Sequence, residues 1–150
     1  MKNFFLSLIF SLFAIGSYAT SSGIDIINQS PCDVYVQIRG SKVCPSCELD
    51  YVSNLIFIPG GGMASFPNTM MLGGTFPTTV PVFVNSAVFY SGPRQCPQLQ
   101  TWFIGDPQCG YAPQISFFTM DQNCRIMCDR VFARWLPAPC SGIARLIITP

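Results

Sequence analysis

The chain contains no histidine. That removes the Ser-His-Asp and Cys-His arrangements of nucleophilic catalysis, and the mixed Cys/His ligand sets of most zinc sites. Charge is scarce as well, with charged residues making up 10% of the sequence. The seven acids are Asp25, Asp33, Glu48, Asp50, Asp106, Asp121 and Asp129, and none sits in a setting that marks a glycosidase carboxylate pair. Asp33 and Asp50, near cysteines and strand ends, read as turn residues. Gly60-Gly61-Gly62 lacks the Lys and Ser/Thr that complete a phosphate-binding loop, and reads as a strand stop after Pro59. The expectation is a protein that is not an enzyme, with no cofactor and no metal.

No apolar run reaches the roughly 20 residues of a spanning helix. The longest, Phe4 to Ile15, follows Lys2 and precedes Ser17-Tyr18-Ala19, whose small residues suit a cut after Ala19. That is the layout of a secretory signal peptide over residues 1–19, leaving 20–150 as one mature domain. Without Lys2 the chain holds one Lys and six Arg against seven acids, a net charge of zero. A neutral chain has no electrostatic reason to seek nucleic acid or anionic lipid. Neither a basic amphipathic segment nor a long alternating hairpin points to membrane activity.

Cysteine, by contrast, is plentiful: Cys32, Cys44, Cys47, Cys96, Cys109, Cys124, Cys128 and Cys140 all lie in the mature part. An even number in a secreted chain implies four disulfides, whose connectivity is one of 105. No two cysteines are adjacent, which sets the chain apart from hydrophobins and plant lipid-transfer proteins. Within the set, Cys44-Pro45-Ser46-Cys47 looks like the active site of some thioredoxin-like oxidoreductases, where a helix start lowers the pKa of the first thiol. Val80-Pro81 could stand for the partner cis-proline of that family. The surroundings do not match, since too few residues separate Cys47 from the apolar run Leu55-Ile56-Phe57-Ile58 for the helix, and no βαβ pattern encloses the motif. A zinc site from Cys44, Cys47, Cys124 and Cys128 has tolerable spacing but competes with oxidation. Met63, Met70, Met71, Met120 and Met127 could suit Cu(I), yet methionine is ordinary core filler.

The remaining pattern is β. Apolar residues at 24, 26 and 27 open the mature chain, and Val34, Val36 and Ile38 alternate with Tyr35, Gln37 and Arg39. Arg39 to Lys42 reads as a turn, Leu55 to Ile58 as a strand buried on both faces, and Met63 to Phe66 as a short strand. Val80 to Tyr90 is either one long strand or a hairpin turning at Asn85-Ser86. Ile115 to Met120 and Leu146 to Ile148 are further strands. Thr119-Met120-Asp121-Gln122 matches a capping box, so 120–135 could hold a short helix; the alternation of Val131, Ala133 and Trp135 and the β surroundings favour a strand. Short strands between Gly/Pro turns point to a disulfide-stabilised antiparallel β-sandwich. Ile26-Ile27-Asn28, with Ile58-Pro59-Gly60 and Phe66, resembles the first strands of thaumatin-like domains over a small fraction of the chain. Eight cysteines are half that family's usual number, and membership is not implied.

The segment from Ser91 to Gln114 carries four prolines, three glycines and two cysteines around Trp102-Phe103-Ile104. So long a connection is a functional loop or one held by crosslinks. A Cys96–Cys109 bridge would staple it and present Arg94, Trp102, Phe103 and Tyr111 as a rigid binding surface. The bland alternative has Trp102 and Phe103 folding inward as a strand. Asn28-Gln29-Ser30 is a glycosylation sequon, weakened by Pro31. The sequence thus reads as a secreted binding or structural surface protein for an unknown extracellular protein or carbohydrate. The alternatives are a secreted inhibitor or effector acting through the 91–114 loop and, less favoured by the surroundings of the motif, a thiol–disulfide oxidoreductase using Cys44-Pro45-Ser46-Cys47.

Overall fold

The computed structural model describes residues 22–150; the leader expected at 1–19 lies outside them. Ten strands form two five-stranded sheets facing one another across a shared core. Sheet I runs β5 (Met63–Phe66), β1 (Gly23–Asn28), β10 (Ile143–Thr149), β9 (Ile126–Leu136), β8 (Gln114–Met120). Sheet II runs β3 (Tyr51–Val52), β2 (Val34–Ser41), β6 (Phe83–Tyr90), β7 (Thr101–Gly105), with β4 (Ile56–Ile58) also pairing β2. The antiparallel β-sandwich read from the sequence is the observed architecture. One ladder departs from it, because β1 pairs β10 in parallel, Ile26 opposite Leu146. A parallel pair needs a long crossover, and here the connection is nearly the whole fold.

Alternation explains which face each strand buries. Ile24 and Ile26 of β1, Val131, Ala133 and Trp135 of β9, and Ala144, Leu146 and Ile148 of β10 point inward from sheet I. Val34, Val36 and Ile38 of β2, Ala87 and Phe89 of β6, and Ile104 of β7 meet them from sheet II. Phe89 stacks on Phe117 with ring centroids 4.5 Å apart, closing the gap between the sheets. Each such aliphatic or aromatic side chain contributes about 1.5–3 kcal/mol by leaving water.

The structure resolves or corrects several local readings. Residues 126–136 are strand, not helix; Asp121 caps the preceding turn by accepting from the backbone N–H groups of Asn123 and Arg125. Residues 83–90 are one strand, with Asn85 and Ser86 buried inside it rather than at a hairpin tip. Arg39 to Ser41 continue β2 past a bulge at Arg39/Gly40. Gly40 is required there, because a Cβ would collide with the carbonyl oxygen of Phe83. β4 is buried on one side, as Ile58 is enclosed while Phe57 faces outward.

The eight cysteines form Cys32–Cys128, Cys44–Cys140, Cys47–Cys109 and Cys96–Cys124. The expected Cys96–Cys109 staple is therefore wrong: its two cysteines lie at opposite ends of the sandwich and take other partners. Two bridges close each end. Cys32–Cys128 and Cys96–Cys124 sit where β1, β6 and β8 finish; Cys44–Cys140 and Cys47–Cys109 sit where β2, β7 and β9 finish. Cys32–Cys128, Cys44–Cys140 and Cys96–Cys124 each tie a segment bordering sheet II to one bordering or within sheet I. Four bridges fit a protein that matures outside the reducing cytosol. No helix among the described residues is long and apolar enough to cross a membrane.

Candidate functional site

The cysteine motif provides no dithiol. Cys44 and Cys47 belong to separate bridges, so neither is the other's redox partner. The four cysteines considered for zinc belong to four different bridges.

The four residues expected on the 91–114 surface are dispersed. The segment is not one loop, since β7 and a 3₁₀ turn at Pro107–Cys109 divide it. Arg94 is exposed at the Cys96 end of the sandwich, and half-buried Tyr111 lies at the Cys109 end. Trp102 turns inward against Phe117 and Phe118, with centroids 5.8 and 5.3 Å away. Phe103, the next residue in the strand, turns outward. The inward alternative thus describes Trp102 and the binding-surface reading describes the orientation of Phe103.

Phe103 belongs to the outer face of sheet II, and its neighbours there come from other strands. Pairing places Phe57, Tyr35, Tyr90 and Thr101 in one row across β4, β2, β6 and β7. The adjacent row is Gln37, Val88 and Phe103, and the next begins with Arg39. The face is aromatic and its polar groups are held. Tyr90 Oη donates to Gln37 Oε1, and Gln37 Nε2 donates to the carbonyl of Ser53 at 2.9 Å. Ser53 in turn accepts from the N–H of Ile38 at 2.8 Å, which ties this chain of bonds to the β2 backbone. Tyr35 packs against Phe57 with centroids 5.2 Å apart. Burial, then the carboxylates of Asp33 and Asp121, push the Tyr35 phenol above its ordinary value of 10.0.

Two rings stay open to solvent, Phe57 at 47% and Phe103 at 45% exposure. Three strand spacings, about 14 Å, separate their strands. The Arg39 guanidinium covers part of Phe103, 5.1 Å from its centroid, and its Nε is buried with no hydrogen-bond partner. A docking ligand would find two exposed ring faces, with Tyr35, Gln37 and Val88 buried in the sheet between them.

Sequence reasoning missed Tyr35, Gln37, Arg39, Phe57 and Tyr90 as a group. The signal was present in part, because Tyr35, Gln37 and Arg39 are the outward half of the alternation in β2. Their meeting with Phe57 and Phe103 depends on long-range pairing, which alternation does not encode. The sequon at Asn28 is also answered. Its side chain is 1% exposed and donates to the carbonyls of Cys32 at 2.7 Å and Pro59 at 3.0 Å. No protein-family model, no curated protein and no solved structure matches the chain, so its faces are argued from their own geometry.

Proposed function

We propose that this protein is a secreted, disulfide-braced binding module that receives a carbohydrate chain on the outer face of sheet II. The observation that carries the reading is the pair of exposed rings, Phe57 and Phe103, on one rigid sheet face with Arg39 between solvent and ring. Sugar rings have apolar C–H faces and polar edges. An aromatic ring removes the face from water, and neighbouring donors satisfy the hydroxyl groups at the edge. Sheet strands and four bridges preorganise these groups, which lowers the entropy lost on binding. A binding role also agrees with a chain that has no histidine and no isolated dithiol.

Affinity electrophoresis through gels containing xylan, mixed-linkage glucan or dextran tests the reading. The oxidised protein should be retarded by at least one of them, and Phe57→Ala and Phe103→Ala should each run closer to their mobility in the plain gel. Retardation unchanged in both variants would remove the site. Absence of retardation in all three gels, with capture of a protein lost on Phe103→Ala, would redirect the same face to a protein partner.

A further inference from the structure

The outer face of sheet I differs in kind from that of sheet II. Alternation places Arg130, Phe132 and Arg134 of β9, and Arg145 and Ile147 of β10, on this outer face, so three of the six arginines share it. Asp25 is the one acid in the outward positions of β1, β5 and β10, and it is occupied. It accepts from Ser65 Oγ at 2.6 Å and stands 4.0 Å from Arg145, the one ion pair among the described residues. On β9 the exposed carboxylate of Asp129 is next to Arg130 in sequence, yet neither Arg130 nor Arg134, both exposed, forms an ion pair. Between them Phe132 stands 46% exposed. Phe132, Arg134, Gln114, Ile147 and Thr149 surround a concavity of about 400 Å³, within the size range of ligand-binding clefts.

We infer that this face binds an extended acidic peptide of a partner protein. The argument is charge complementarity with matched spacing. Outward residues along β9 recur every two positions, about 7 Å, so Arg130 and Arg134 are about 14 Å apart with Phe132 midway. An extended peptide presents its own alternate side chains at the same interval. An acidic–x–apolar–x–acidic segment therefore sets its two carboxylates against the two guanidinium forks and its apolar side chain beside Phe132 and Ile147. A concave floor with aliphatic lining suits such a side chain better than a bilayer surface, which favours protruding apolar groups. Two unpaired cations on a chain whose net charge is zero without Lys2 are too few for a nucleic-acid backbone.

The test is fluorescence anisotropy of the oxidised protein with a labelled acidic–x–leucine–x–acidic peptide, its neutral amide counterpart, and a version with the two acids adjacent. The acidic, correctly spaced peptide should bind most tightly, and more weakly as salt rises. Arg130→Gln and Arg134→Gln should each weaken it about three- to tenfold, and Phe132→Ala should weaken it too. Arg94→Gln, at one end of the sandwich, should leave affinity unchanged. Equal affinity for the neutral peptide, no detectable binding, or equal loss in Arg94→Gln overturns the inference. So does binding of polygalacturonate or phosphatidylserine vesicles, lost in Arg134→Gln, when the peptide does not bind; that result assigns the face to an acidic polysaccharide or a membrane.

Discussion

The guanidinium of Arg39 lies over the ring of Phe103, 5.1 Å from its centroid, although the two residues are 64 positions apart and on strands separated by β6. The contact joins the outer edge of sheet II to its centre. Phe103 orients a cation whose Nε has no other partner, and Arg39 limits how the ring can turn.

Arg39→Ala should lower stability by about 0.5–1 kcal/mol, the range of an exposed cation–π contact. Its effect on polysaccharide retardation should be larger in proportion than on stability, because the same side chain fixes the ring of Phe103, one of the two rings proposed to bind. Arg39→Lys should recover part of the stability but less of the binding, since an ammonium lacks the planar fork. Urea unfolding and affinity electrophoresis of the two variants check this. Equal losses of binding and stability in both would make Arg39 a purely structural residue.

The bridges are expected to be unequal. In the chain-entropy picture a crosslink stabilises more as its loop lengthens. Cys32–Cys128 and Cys44–Cys140 each span 96 residues, against 28 for Cys96–Cys124. Replacing Cys44 and Cys140 together with Ser should cost about 2–5 kcal/mol, and removing Cys96–Cys124 should cost less. Non-reducing peptide mass spectrometry checks the pairing itself. A Cys96–Cys109 peptide in that map would contradict the arrangement of both ends.

How far the sequence reveals this fold depends on whether the cause is local. Val34 to Arg39 and Val131 to Trp135 read correctly as strands because each buries one face, and alternation records that directly. Asn85-Ser86 looks like a turn but lies buried in β6, where Asn85 Nδ2 donates to the carbonyl of Glu48 at 3.0 Å. The partner that makes those polar residues acceptable is 37 positions away, beyond any local rule. The same applies to the parallel pairing of β1 with β10, and to the bridges. The candidate face is half legible: the 91–114 segment points to Phe103, while the apolar run 55–58 reads as buried on both sides and hides Phe57. The five-residue strand at 101–105 is legible only as the inward alternative for Trp102 and Phe103, because the prolines and glycines around it fit a loop equally well.

Asn28 is expected to be a structural hub rather than a glycan acceptor. Its Oδ1 accepts from Ser30 N at 3.1 Å and Ser30 Oγ at 2.7 Å, while Nδ2 reaches Cys32 and Pro59. One side chain thus holds the β1–β2 turn to the end of β4. Asn28→Ala leaves several buried groups unpaired, each worth about 1–3 kcal/mol when stranded. A loss of at least about 2 kcal/mol is expected in thermal or urea unfolding. Mass spectrometry of protein secreted from a glycosylating host should show Asn28 unmodified. Full occupancy by glycan would mean that this turn is not enclosed as described.

Tyr35 sets the expected behaviour in alkali. Its phenol is held above the ordinary 10.0 by burial first, then by Asp33 and Asp121. In the folded protein it keeps its proton at a pH where the unfolded chain has already released it. The sign follows: the unfolded state binds fewer protons in that window, so stability falls as pH rises. The contribution is fully present below about 10, the unfolded value, and is lost progressively as pH climbs through the folded value. Urea midpoints measured from pH 8 to 11 should therefore stay level at first and then decline. Tyr35→Phe cannot ionise, so its decline over the same interval should be shallower, whatever its stability at pH 8. Parallel profiles for the two proteins would show that the alkaline loss arises elsewhere and that Tyr35 ionises as freely in the folded sheet as in the open chain.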